Sequence, residues 1–221
     1  TPFNCTSIAM NLIISVALMA NTTVWKPATT AVLSGYYLMK IFEEAGMPEG
    51  VINFVPGPSG SFADTVLSHP DMAGLHFTGS TKTFQTLWKN VASNMDTYNC
   101  YPRLVGETGG KDFVFAHPSA DPEELATALV RGAFEYQGQK CSAASRVYIP
   151  RSLWKKTREL LVGWTEELKM GDVRDFRNFC NAVIDETAFD KVMGYIDMAK
   201  ASPHAAIIAG GGGDRDRKSV V

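Results

Sequence analysis

Phe134-Glu135-Tyr136-Gln137-Gly138-Gln139-Lys140-Cys141-Ser142-Ala143 is the stretch on which the reading of this chain turns. A helical pattern beginning at Asp121 runs to about Tyr136, breaks at Gly-Gln-Lys, and leaves a cysteine beyond the break. Upstream, Gly106-Glu107-Thr108-Gly109-Gly110-Lys111 sets an isolated carboxylate before a double glycine. An unperturbed thiol has a pKa of about 8.5, so only a few per cent is thiolate at neutral pH. A reactive one needs partial exposure together with positive charge or oriented N–H groups. Lys140 is adjacent, although neighbouring side chains often point apart. Glycines beside Glu107 let the backbone turn sharply and the carboxylate approach a ligand. The pair suggests a thiol nucleophile and a carboxylate base delivered from separate loops. Cys5, Cys100 and Cys180 lack such a setting and read as inert.

Outward from these motifs, helix and strand signals alternate. Residues 7–19 read as an apolar helix and 22–25 as a strand closed by Pro27. Residues 31–45 read as a helix with Leu33, Tyr37, Leu38 and Ile41 as its apolar face, stopped at Gly46. A strand at 51–55, a short helix at 61–68, a strand at 74–77 and a helix at 81–91 follow. Arg103-Leu104-Val105 leads into Glu107. Residues 112–116 read as a strand. Asp121 is the expected N-cap of the next helix, with Pro122 in its first position and Glu123 and Glu124 at its positive end. Strands at 146–149 and 205–209 and helices at 152–170 and 186–200 complete the pattern. Strands separated by helices of this length imply an α/β fold, a parallel Rossmann-type sheet with helices on both faces. A domain boundary is expected near Glu107, dividing residues 1–106 from 107–215.

The chain has 221 residues, 45% hydrophobic and 20% charged, with a net charge of −2. That composition fits a globular protein and gives no electrostatic case for nucleic acid or an anionic membrane. The four cysteines and four histidines are dispersed, which argues against a zinc site or disulfide scaffold. The apolar run at 8–19 is too short and too polar to span a bilayer. The final Asp216-Arg217-Lys218-Ser219-Val220-Val221 resembles the translation of a sequencing adapter. It is expected to be non-native and is assigned no fold or function.

Further candidates stand near strand ends. Asn4, in Thr1-Pro2-Phe3-Asn4, reads as a turn or N-cap asparagine. Lys26, in Trp25-Lys26-Pro27, follows a strand and could bond ribose hydroxyls or a phosphate. Phe77-Thr78-Gly79-Ser80 ends a strand and opens a helix, where N–H groups meet phosphate. Its plainer reading is an ordinary helix cap. No G-x-G-x-x-G fingerprint is present.

Five motifs in order, Pro-Phe-Asn, Trp-Lys-Pro, Phe-Thr-Gly-Ser, Gly-Glu-Thr-Gly-Gly-Lys and Gly-Gln-Lys-Cys, resemble the aldehyde dehydrogenase superfamily from Thr1 to about Ala209. The resemblance is to the branch that oxidises L-glutamate gamma-semialdehyde. It implies an internal fragment: the later part of an NAD-binding domain, then the first part of a catalytic domain. It implies Cys141 as nucleophile, Glu107 as general base and Asn4 as oxyanion donor. Lys26, Pro27, Gly79 and Ser80 would serve the cofactor, NAD, and Ser142 the substrate. Arg103 and Phe134 could line the substrate funnel. Two positions depart from the pattern. Thr29 stands where an acidic residue often marks NAD over NADP, and Ala63 where a glycine is usual. The resemblance further implies a homo-oligomer, in the mitochondrial matrix of a eukaryote or the cytoplasm of a bacterium. A dehydrogenase for another aldehyde and a non-catalytic protein on the same fold are the alternatives.

Overall fold

In the computed structural model, residues 1–216 and 218–220 are described. The chain forms two compact units that meet in sequence between Gly109 and Gly110. The first contains α1 (Thr6–Leu18), β1 (Thr23–Trp25), α2 (Val32–Glu44), β2 (Ile52–Phe54), α3 (Ser59–Val66), β3 (Gly74–Gly79), α4 (Thr81–Ser93) and β4 (Arg103–Thr108). The second contains β5 (Asp112–Phe115), α5 (Pro122–Phe134), β6 (Ala144–Tyr148), α6 (Arg151–Glu166), α7 (Glu186–Ala201), β7 (Gly213–Asp214) and β8 (Ser219–Val220). The parallel α/β expectation holds. β1 pairs with β2, β3 with β4 and β5 with β6, every pair parallel.

Each unit has its own core. In the first, Ala9 and Ile13 of α1 pack on Trp25 and Ile52, with Leu38, Met39, Phe42 and Phe54 around them. Burying side chains of this size contributes about 1.5–3 kcal/mol each. Leu67, Met72 and Val91 form a second cluster, which Leu75 and Leu104 of the β3–β4 pair join. In the second unit, Leu125 and Leu129 of α5 pack on Ala116, Val114, Val147 and Leu161. Asp121 caps α5 as expected, accepting from the Glu123 and Glu124 N–H groups at 2.8 and 3.0 Å. Gly46 ends α2 with φ +82°.

Several expectations need correction. The packing face of α2 is Gly35, Leu38, Met39 and Phe42, whereas Leu33, Tyr37 and Ile41 are exposed. Gly35 decides the matter: a Cβ there would lie 2.8 Å from Phe54 and 3.3 Å from Trp25, so the helix meets the β1–β2 pair at its smallest residue. Helix α6 ends at Glu166 rather than 170. Just beyond it, the Lys169 carbonyl accepts from the Phe179 and Cys180 N–H groups, so the chain leaves the helical path. Residues 205–209 form no strand, because no ladder among the described residues takes up their backbone groups. They lie along β6, where Ile208 and Ala209 line a cavity of about 230 Å³ with Leu129, Phe134, Val147 and Leu161.

The terminal segment also has a place in the fold. β7 and β8 pair antiparallel, the Val183 N–H donates to the Lys218 carbonyl at 2.9 Å, and Ser219 is buried. Arg217 and Val221 of that segment lie outside the described residues.

Candidate active site

Glu107 lies in a strand, not in a loop. β4 runs beside β3 in the register Phe77↔Gly106, Thr78↔Glu107 and Gly79↔Thr108. The carboxylate is exposed at the carboxyl end of a parallel pair, the usual location of ligands in α/β sheets. The register joins two sequence motifs, since Phe-Thr-Gly-Ser and Gly-Glu-Thr end on neighbouring strands. An aromatic column braces them. Phe77 stacks on Phe84 at 5.7 Å with 9° between planes, and Trp88 meets Phe84 edge-on at 5.5 Å. Phe84 lies over Gly106, where any Cβ would overlap its ring, and a Cβ at Gly79 would come within 2.6 Å of Phe77. Gly106 thus makes room for a ring and has no positive φ, contrary to the turn expected from its sequence.

Beyond β3, Ser80 caps α4. Its Oγ accepts from the Thr83 N–H at 3.2 Å and lies 2.7 Å from the Thr83 hydroxyl. The first turn of a helix carries N–H groups with no intrahelical carbonyl, a ready anion site. Lys26 follows β1 directly and is half-buried, and loss of solvent lowers its ammonium pKa from the ordinary value. Pro27 is fully buried, so its ring supports this strand end from within. Asn4 sits one residue before the cap of α1. The cap position falls to Cys5, whose Sγ lies 3.0 Å from the Ser7 hydroxyl.

In the second unit, α5 stops at Phe134, and the chain turns through three successive left-handed residues. Tyr136, Gln137 and Gly138 have φ of 55°, 57° and 65°. For the two non-glycine residues this costs about 1–2 kcal/mol each. Such a geometry persists only where its surroundings over-determine it. Lys140 contributes by binding Glu135 at 2.6 Å, and Arg131 binds the same carboxylate at 3.3 Å. These cations, Lys140 first, hold the Glu135 carboxyl below the ordinary carboxylate range. The Lys140 charge is therefore spent on the turn. Cys141 follows half-buried, Ser142 is exposed, and the Ala143 N–H closes the turn on the Lys140 carbonyl at 3.2 Å. Cys180 is buried, and burial pushes its thiol pKa up, as suits an inert cysteine.

The structure thus gathers Gly79, Ser80 and Glu107 at adjoining strand ends of the first unit, and carries Asn4 and Lys26 elsewhere in that unit. Cys141 and Ser142 stand on the second unit, beside β6. The cavity near Phe134 does not include Cys141. Sequence reasoning missed two contributors. Phe84 gave no signal beyond being aromatic on a helix, and Gln139 stood in a quoted motif without a role.

The sequence pattern of the Aldehyde dehydrogenase family matches residues 1–220. The mitochondrial delta-1-pyrroline-5-carboxylate dehydrogenase of Dictyostelium discoideum is 50% identical over 213 residues, covering 96% of this chain and 38% of that protein. The crystal structure of the Mycobacterium tuberculosis delta-pyrroline-5-carboxylate dehydrogenase bound with NAD is 50% identical, with a TM-score of 0.95, over 98% of this chain and 41% of that one. The 1-pyrroline-5-carboxylate dehydrogenase from Thermus with bound NAD is 30% identical, with a TM-score of 0.87, over 94% of this chain and 40% of that one. The chain spans about two fifths of the length of these relatives. Family pattern, identity and fold agree along almost the whole sequence, and the chain belongs to the aldehyde dehydrogenase family.

Proposed function

We propose that the complete protein oxidises L-glutamate gamma-semialdehyde, in equilibrium with pyrroline-5-carboxylate, to L-glutamate with NAD, the oxidative second step of proline breakdown. One observation carries this reading. The Gly-Gln-Lys-Cys turn and the Gly-Glu-Thr-Gly-Gly-Lys strand end occur together in a chain 50% identical, over 96% of its length, to an enzyme named for that substrate.

Cys141, as thiolate, adds to the aldehyde carbon. The Asn4 amide and the Cys141 N–H donate to the oxyanion, and one such donor is worth roughly 3–4 kcal/mol of barrier. Lys26 would hold the cofactor by ribose hydroxyls, and Gly79 and Ser80 would face its phosphates from bare backbone at the head of α4. Pro27 supports Lys26 from the core. Bound NAD supplies the hydride acceptor. Loss of hydride leaves the acyl group on the sulfur as a thioester. Glu107 then takes a proton from water, the hydroxide attacks the thioester carbon, and the thiolate leaves. Ser142, exposed beside the nucleophile, contacts the substrate. Thr29 neither accepts strongly from a ribose 2′-hydroxyl nor strongly repels a 2′-phosphate, so NADP belongs beside NAD in the assay. The complete protein would form a homo-oligomer, in the mitochondrial matrix if its source is eukaryotic.

The test is NADH formation by the complete protein with pyrroline-5-carboxylate against short aliphatic aldehydes, with Cys141→Ser as control. Preference for pyrroline-5-carboxylate, lost in the variant, supports the proposal. Equal turnover of simple aldehydes removes the substrate, and no turnover of any aldehyde removes the activity.

A further inference from the structure

The turn before Cys141 is strained and short, so what holds it matters. Three ties from this turn and the helix end before it run to one segment, residues 180–184. The Gln139 Oε1 accepts from the Ile184 N–H at 3.0 Å. The Cys180 thiol faces the Phe134 carbonyl at 3.4 Å. The Gln137 amide, oriented to satisfy both its polar atoms, accepts from the Asn181 N–H at 2.7 Å and donates to the Tyr136 carbonyl at 3.2 Å. The segment is itself anchored. Asp185, next in sequence, caps α7 by accepting from the Ala188 N–H at 2.8 Å, and Val183 is buried. Met170 and Cys180 form a parallel bridge at its other end.

Among these ties, that of Gln139 lies closest in sequence to the thiol, and it is the one that follows the left-handed run. The Gln139 N–H also donates to the Tyr136 carbonyl at 3.0 Å, closing the run by its backbone while the side chain fastens it to the anchored segment. We infer that Gln139 is a positioning residue: by accepting from the Ile184 N–H it locks the left-handed turn 136–138 and so fixes where the Cys141 sulfur is presented. The inference rests on Cys141 being the nucleophile. Gln139 touches neither substrate nor cofactor on this account, and it acts only through the turn.

Gln139→Met keeps length and volume and removes the acceptor, and Gln139→Glu keeps the acceptor. In the complete protein, Gln139→Met should lower kcat roughly tenfold to a hundredfold with KM little changed, the effect expected of a misplaced reacting group. Alkylation of Cys141 by iodoacetamide, resolved by peptide mass across pH, should lose its excess rate over Cys5, Cys100 and Cys180. Gln139→Glu should retain most of the kcat. A merely stabilising residue would lower the melting temperature and leave the Cys141 alkylation profile in place, and that result overturns the inference. If Gln139→Met fails to fold, hydrogen exchange in the unaltered protein decides. A protected Ile184 amide supports the lock, and exchange as fast as in exposed loops overturns it. Cys141→Ser with full activity would instead remove the nucleophile reading on which the inference stands.

Discussion

In β4, Glu107 is carried by main-chain pairing with β3 that runs unbroken from Gly74↔Arg103 to Gly79↔Thr108. Cys141 instead follows three left-handed residues tied down by side chains. A ladder places its residues by backbone hydrogen bonds, so a side-chain replacement disturbs it only where a Cβ has no room. A turn of this kind depends on particular side chains, and each replacement tests a tie. In stability, the carboxylate end should therefore tolerate side-chain replacement except at Gly79 and Gly106, and the thiol end should respond at each tie.

The largest effects fall on the chemistry at each end. Cys141→Ser should reduce NADH formation by roughly a thousandfold or more, the scale of losing a catalytic nucleophile. Glu107→Gln should cost about 10²–10⁴-fold as a lost general base, with a burst of NADH followed by slow turnover. A Glu107→Gln protein with no burst and no loss would place the base elsewhere.

Next is packing on the ladder. Gly106→Ala forces a Cβ into the Phe84 ring, and overpacking of this kind costs about 1–3 kcal/mol. Phe84→Ala in the same chain should recover part of that loss in urea unfolding. A neutral Gly106→Ala would mean that the ring yields freely and the column braces nothing.

In the turn, glycine matters through its backbone conformation rather than through space for a ring. Gly138→Ala places a side chain at φ +65°, within 2.8 Å of the Ala133 carbonyl, and should destabilise by about 1–2 kcal/mol. Tyr136→Gly relieves a φ of 55° and should stabilise by about 1 kcal/mol while lowering kcat, since strain and presentation go together. A Tyr136→Gly protein that is both more stable and fully active would show that strain in the turn and presentation of the thiol are independent.

The smallest effect is electrostatic. The Glu135 carboxyl, held below its ordinary value of 4.5 by Lys140 and Arg131, contributes stability that is present above that value. The contribution is lost as pH falls through the lower folded value. The deficit of Glu135→Gln should therefore be visible near neutrality and close in acid, and salt should shrink it, as for any exposed ion pair.

Much of this was legible in the sequence. The α5 cap followed from Asp-Pro-Glu-Glu, and the strand–helix alternation from periodicity. What escaped had physical causes. Helix α2 is apolar on two faces, and only the fit of Gly35 against Trp25 and Phe54 chooses between them. Glu107 read as a loop residue because its glycines suggested turning, whereas Gly106 leaves space for Phe84. The left-handed run at Tyr136 and Gln137 carries no signal, since neither residue favours that conformation and distant contacts impose it. Residues 205–209 have strand composition, but a strand needs a partner as well as a propensity. The candidate site fared likewise. Motifs named its residues one by one, while the Thr78↔Glu107 pairing that joins two of them appeared only in the fold.

The most direct test of the central claim is to trap the acyl group. The complete Glu107→Gln protein would be mixed with NAD and pyrroline-5-carboxylate, quenched in acid at the end of the burst, digested, and the peptides weighed. A glutamyl thioester is expected on the peptide containing Cys141, labile to hydroxylamine and absent in Cys141→Ser. Hydride transfer with no acyl group on Cys141, or with the group on another residue, would contradict it.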